Sequence, residues 1–166
     1  LGGWNPDSYV LERTEAIAAA EARAPLTLLS RKDTPRDGSA PCLLYAYGSY
    51  GMSSNVLFNP NRFCLVDRGM VYALAHIRGG GDLGKAWHDD GRMAKKMNTF
   101  TDFIACAEHL CATKRTSPDR LVARAPRGPT FLTRAAHVPT SDERPSRAWE
   151  LHAERACVHA PTRCAG

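Results

Sequence analysis

No run of 18 apolar residues occurs anywhere in this 166-residue chain, so a membrane-spanning helix is not expected. The opening residues, Leu1-Gly-Gly-Trp4, lack the basic and apolar regions of a secretory signal. They also lack a methionine, which suggests that sequence is missing at that end. No Gly-Lys-Ser or Gly-Lys-Thr follows any glycine cluster, which argues against a phosphate loop. His152, Cys157, His159 and Cys164 are metal-ligand types, but without the short Cys-x2-Cys or His-x3-His spacing that preforms a zinc site. No metal and no cofactor is therefore expected. Lysine is absent after Arg120: residues 122 to 166 hold 7 Arg and 4 acids, a net +3, whereas residues 1 to 121 hold 15 basic and 13 acidic groups, a net +2. The total of +5 is thus not gathered into a basic stripe, and no nucleic-acid partner is predicted. The six cysteines read as reduced thiols, because Cys42 falls in a predicted core strand and Cys106 and Cys111 fall on one helix without facing each other. A soluble cytoplasmic protein is the expectation.

What is present is an alternation of strands and helices. Tyr9-Val-Leu11 with Ile17, and Ala24 to Leu29, predict two strands pairing as a hairpin across Ala19 to Arg23. Arg31 to Ala40, with Pro35 and Asp37-Gly38, is a polar loop. Cys42 to Tyr47 is a first central strand, ending in Gly48-Ser-Tyr-Gly51. Asn61 is expected to cap a short helix through Asp67 that buries Phe63, Leu65 and Val66, and Gly69 to stop it. Met70 to Ile77 is an apolar run with β-branched and aromatic members, the pattern of a buried parallel strand, and it stops at Gly79-Gly-Gly81. Ligand sites of open α/β sheets lie at that end of the strands. Trp87 to Lys96 reads as an irregular lead-in, with His88 and Asp89-Asp90 solvated. Asn98 or Thr99 is expected to cap a long helix, Thr99 and Asp102 having the spacing of a capping box, and the apolar face of that helix is Phe100, Phe103, Ile104, Ala107, Leu110 and Cys111. Ser117-Pro118 starts a single turn, and Leu121-Val-Ala123 begins another strand. His76, on a buried strand, is read as a hydrogen-bonded core residue, and Arg78 as a structural ion-pair partner.

Four segments carry a family resemblance: Leu44-Tyr-Ala-Tyr-Gly-Ser-Tyr-Gly51, Asp67 to Asp82, Lys96-Met-Asn-Thr-Phe-Thr-Asp-Phe103 and Thr116-Ser-Pro-Asp-Arg-Leu121. In order and spacing they resemble the start of the catalytic domain of prolyl oligopeptidase serine peptidases, the oligopeptidase B branch in particular. The resemblance implies the N-terminal part of an α/β-hydrolase, a doubly wound, mostly parallel sheet, followed by an irregular C-terminal tail. Residues 1–40 would be N-terminal strands and loop, 41–123 the partial hydrolase domain, and 124–166 the tail. It further implies a serine peptidase of the cytosol acting on short peptides, with cleavage after basic residues. Tyr47, the second tyrosine of Tyr-x-Tyr-Gly, matches the phenol that stabilises the oxyanion, and Tyr50 matches a position lining the substrate pocket. Arg78, Gly79, Gly80, Gly81 and Asp82 form the family's glycine-rich structural motif. Without the resemblance, Tyr47 reads as a strand-end aromatic and Tyr50 as loop packing.

The match ends where the chemistry should begin. After Leu121-Val-Ala123 the family places a Gly-x-Ser-x-Gly nucleophile elbow, but this chain reads Arg124-Ala-Pro-Arg-Gly-Pro-Thr130 and contains that motif nowhere. The family's aspartate and histidine would fall beyond Gly166, so none of the triad is expected in these residues. If Gly-Ser-Ala-Gly were encoded GGC TCC GCG GGG, reading one base late gives Ala-Pro-Arg-Gly, the sequence of residues 125 to 128. The 45 residues from 122 onward contain 9 Ala, 7 Arg and 5 Pro, the composition of GC-rich DNA read out of frame. The expectation is an inactive fragment with a disordered or out-of-frame tail. The alternatives are a peptide-binding or partner-binding pseudoenzyme, or a gene-model fragment with no function.

Overall fold

The computed structural model describes residues 5–125 and the backbone of a short strand at Thr133–Arg134. Six strands form one mixed sheet in the order β1-β2-β4-β3-β5-β6. β1 (Tyr9–Ile17) and β2 (Arg23–Arg31) make the predicted hairpin, in register from Tyr9 opposite Arg31 to Ile17 opposite Arg23. Their turn has no glycine, and Ala20 and Glu21 adopt positive φ values of 57° and 56° instead. An L side chain is disfavoured there, so the hairpin forms in spite of its turn.

At the centre, β3 (Cys42–Ala46) runs parallel to both β4 (Val71–Ala75) and β5 (Leu121–Arg124). Parallel pairing puts the C-terminal ends of all three on one rim, with Ala46 beside Ala75 and Tyr45 beside Arg124. Of the tail expected from residue 124 onward, Arg124, Ala125 and β6 (Thr133–Arg134), which pairs antiparallel with β5, are described, and the rest lies outside the described residues.

Helix α1 (Pro60–Val66) connects β3 to β4. Its cap is Asn59 rather than Asn61: the Asn59 side chain accepts the Asn61 N–H at 3.0 Å, and Pro60, which has no N–H to lose, takes the first helical position. Of the three residues expected to be buried, only Val66 is; Phe63 and Leu65 are half-buried. Gly69 does end the connection, at a φ of 82°.

Helix α2 (Lys85–Asp89) gives the expected irregular stretch one ordered turn, and α3 (Met97–Ala112) then covers one face of the sheet. Cys106 and Leu110 pack with Leu26, Leu28, Leu44, Val71 and Ile77, while Phe103, Ala107 and Cys111 flank that core. Each leucine sealed there contributes roughly 1.5–3 kcal/mol. The capping box does not form. α3 begins two residues before Thr99, so both Thr99 and Asp102 lie inside the helix, buried against the sheet, and the face is rotated toward them. Ile104, expected inside, is 37% exposed. The rotation follows from the polar demand described below: a buried arginine has to meet its carboxylate.

The buried thiols of Cys42 and Cys106 are each pushed up to about 12, chiefly by desolvation, and all four described cysteines are free.

Candidate active-site rim and groove

The rim is built by two loops that leave neighbouring parallel strands and meet through their backbones. After β3 the chain runs through Tyr47 to Asn55, and after β4 through His76 to Asp82. Gly51 donates its N–H to Gly79 O (3.1 Å) and Gly81 donates to Met52 O (3.2 Å). Contact this close requires glycine. A Cβ on Gly79, which has a φ of 97°, would stand 2.4 Å from Gly48 O, and one on Gly81 would stand 2.2 Å from Gly51 O. The amides of Gly79, Gly80 and Gly81 are all spent on backbone carbonyls, those of Trp87, Ile77 and Met52. The glycine run is therefore a splice between loops rather than an anion nest.

Arg78 is buried with the splice, and its charge is met by Asp102 of α3. The Asp102 carboxylate accepts the Arg78 Nε–H at 2.9 Å and the Arg78 backbone N–H at 3.0 Å, with Nη2 completing the pair. The hydrogen bond from Asp102 outweighs desolvation and raises the Arg78 pKa above its ordinary value. The Thr99 hydroxyl lies 2.8 Å from Arg78 O and 3.1 Å from Gly91 O, so its single proton serves both. This is why Thr99 and Asp102 face inward: they complete the polar groups of a buried strand end.

A second pair joins a buried histidine to a half-buried carboxylate of the rim. His76 Nδ1 lies 2.8 Å from Asp82 Oδ1, and its Nε2 lies 3.0 Å from the Thr27 hydroxyl. An ionised carboxylate only accepts, so Nδ1 carries the proton, and in the neutral ring Nε2 accepts from Thr27. Burial alone would raise Asp82. The His76 hydrogen bond and the Ser54 N–H at 2.8 Å together outweigh it and hold the carboxyl below its ordinary value. A hydroxyl, an imidazole and a carboxylate thus stand in line, but Thr27 is 3% and His76 4% exposed, so the array is an internal brace rather than a site that substrate reaches.

His88, expected to be solvated, also serves the rim: its Nδ1 donates to Gly79 O at 2.8 Å. Asp89 and Asp90 are engaged elsewhere, Asp89 with Lys85 and Arg92 and Asp90 with Lys95, so no acid-base pair forms with the histidine.

Beside the rim opens a groove of about 650 Å³ lined by Tyr45, Tyr47, Tyr50, Ser53, Ser54 and Arg62, among others. Tyr47 follows β3 directly and is half-buried, and its hydroxyl has no hydrogen-bond partner among the described residues. Tyr50 is 76% exposed at a φ of 56°, a conformation that side chains avoid unless the surroundings impose it. Here the Met52 N–H bonded to Ser49 O and the Gly51 splice impose it. Lys96 grips the same loop from below, donating to Gly48 O at 2.7 Å and to Ser49 Oγ at 3.1 Å. No local sequence pattern marks Lys96, Thr99 and Asp102 as site-positioning residues; the readable signal is Arg78, a permanent cation just past a buried strand, which requires a carboxylate. Among the described residues there is no cluster of three metal-ligand side chains, and no helix is long and apolar enough to cross a membrane.

Residues 57–124 match the model of the prolyl oligopeptidase family. The chain is 49% identical over 122 residues to dipeptidyl aminopeptidase BI of Pseudoxanthomonas mexicana and 39% identical over 123 residues to protease 2 of Moraxella lacunata. These alignments cover 73% and 74% of this chain. The chain belongs to the prolyl oligopeptidase family. Oligopeptidase B from Leishmania major superposes with a TM-score of 0.72 at 42% identity, over 75% of this chain. The chain spans only 17% to 18% of the length of these prolyl oligopeptidase relatives.

Proposed function

We propose that this chain carries the oxyanion-donor and substrate-facing part of a serine oligopeptidase site, with short peptides as substrate class, and that this sequence does not itself hydrolyse them. The observation that carries the reading is the register at the rim. Tyr45 of β3 pairs with Arg124 of β5, one strand spacing of about 4.8 Å away, and Tyr47 lies two residues beyond Tyr45 on the same rim where the chain leaves β5. In the family the nucleophile elbow would begin there, whereas this sequence continues Ala125-Pro-Arg-Gly128. A tyrosine hydroxyl in that place suits a developing oxyanion, but stabilisation without a nucleophile does not start the reaction. The full chain is expected to take no label from a fluorophosphonate probe. Heat-sensitive labelling traced to one of its residues would refute inactivity.

The coding change near Arg124 belongs to the same proposal. Sequencing the transcript across that codon is expected to show a shifted frame; a continuous frame supported by peptides would remove it. We also propose a cytosolic location, which the four free cysteines among the described residues support.

A second reading, peptide binding without cleavage, is favoured by the groove itself, which sets tyrosines and hydroxyls beside Tyr47. Saturable binding weakened by Tyr47→Phe supports it, and binding indifferent to that substitution removes Tyr47 from the site.

A further inference from the structure

The backbone splice between the two rim loops stops at Met52, the last residue of the first loop held by a glycine of the second. Beyond it the chain forms the Ser53–Asn55 wall of the groove and then exposes Val56, Leu57 and Phe58. One polar contact ties that wall to the rim: the Ser54 N–H donates to Asp82 Oδ1 at 2.8 Å. The same oxygen takes the His76 Nδ1 proton, and His76 is fixed in turn by Thr27 of β2. The second oxygen of Asp82 folds back over Gly80, where a Cβ would approach it to 2.7 Å. The glycine thus leaves room for the carboxylate to turn toward the groove.

We propose that Asp82 is a positioning residue for the peptide groove: it latches the Ser53–Asn55 wall to the sheet through the Ser54 amide, and His76 and Thr27 hold the carboxylate in the latching orientation. This assigns the glycine-rich motif a task besides its tight turn. Its effect on ligand binding rests on the reading of the groove as a peptide site, while the latch itself does not. A wall fixed before ligand arrives loses less conformational freedom on binding than a loose one, so the latch acts on affinity as well as on stability.

Two measurements on the full 166-residue chain separate these levels. Amide hydrogen exchange at Ser54 is expected to rise about tenfold or more in Asp82→Ala, while exchange at Leu44 in the core stays unchanged. In Asp82→Asn, whose amide oxygen still accepts, Ser54 should remain protected. Thr27→Val should loosen Ser54 less than Asp82→Ala does, because it removes the second link rather than the first. Affinity for fluorescein-Gly-Ala-Arg-Ala-amide is expected to fall about tenfold in Asp82→Ala and to be restored in Asp82→Asn. Unchanged Ser54 exchange in Asp82→Ala overturns the latch, as does loss of protection in Asp82→Asn equal to that in Asp82→Ala. If the wild-type chain does not bind the peptide, the peptide reading falls, and the exchange data still decide the latch. If it binds and Asp82→Ala binds equally well, the positioning role is overturned while the peptide reading stands.

Discussion

Two carboxylates brace this rim, and they do so differently. Asp102 is fully buried and faces a guanidinium that stays charged, with five N–H donors to direct. Asp82 is slightly open, at 10% side-chain exposure, and divides one oxygen between an imidazole and a backbone amide. The first fastens α3 to the end of β4, a connection inside the fold. The second fastens a loop to a groove, a connection at its edge. Similar polar chemistry thus carries stability in one place and positioning in the other, and burial decides which.

The strongest way to break the comparison is Asp102→Ala. It strands a buried guanidinium, and the expected cost is about 3–5 kcal/mol, read as a lower urea midpoint at constant m-value. A cost equal to that of Asp82→Ala would erase the distinction. Gly79→Ala comes next. Positive φ and the contact with Gly48 O together predict a loss of about 2–4 kcal/mol by the same measurement, with both braces displaced because Gly79 lies between them.

Acid should separate the pairs further. The folded-state pKa of Asp82 is depressed, so its contribution is fully present above the ordinary value of 3.8 and is lost as pH falls through the lower folded value. The stability difference between wild type and Asp82→Asn is therefore expected to shrink below pH 3.8 in urea titrations. A difference that stays constant down to full protonation would show that the Asp82 charge is not used. The smallest effect is at the hairpin turn, whose Ala19 carbonyl touches Arg78 Nη2 at 3.5 Å. Ala20→Gly relieves one positive φ and should raise stability by about 1 kcal/mol, visible as a higher thermal midpoint.

The strand ends and glycines of the rim were legible in the sequence because each is a local pattern: an apolar run cut off by residues without a Cβ. The hairpin was legible from alternation in spite of its turn, since cross-strand pairing outweighed two unfavourable φ values. The inward-facing side of α3 was only partly legible. Thr99 and Asp102 have the spacing of a cap, and nothing within a few residues of them reveals an arginine 21 and 24 positions earlier that needs their polar atoms. His88 was misread for the same reason, since a histidine in a charged stretch looks solvated until the Gly79 carbonyl arrives beside it.

The sequence by itself determined the alternation of strands and helices, the family, and the absence of a Gly-x-Ser-x-Gly elbow, because these rest on short-range spacing and residue type. Only the tertiary structure decided which carboxylate meets which cation, which loop Asp82 holds, and that Tyr47 and the end of β5 are neighbours. Those are distances between segments far apart in the chain, set by strand register and helix rotation, and no window of sequence contains them.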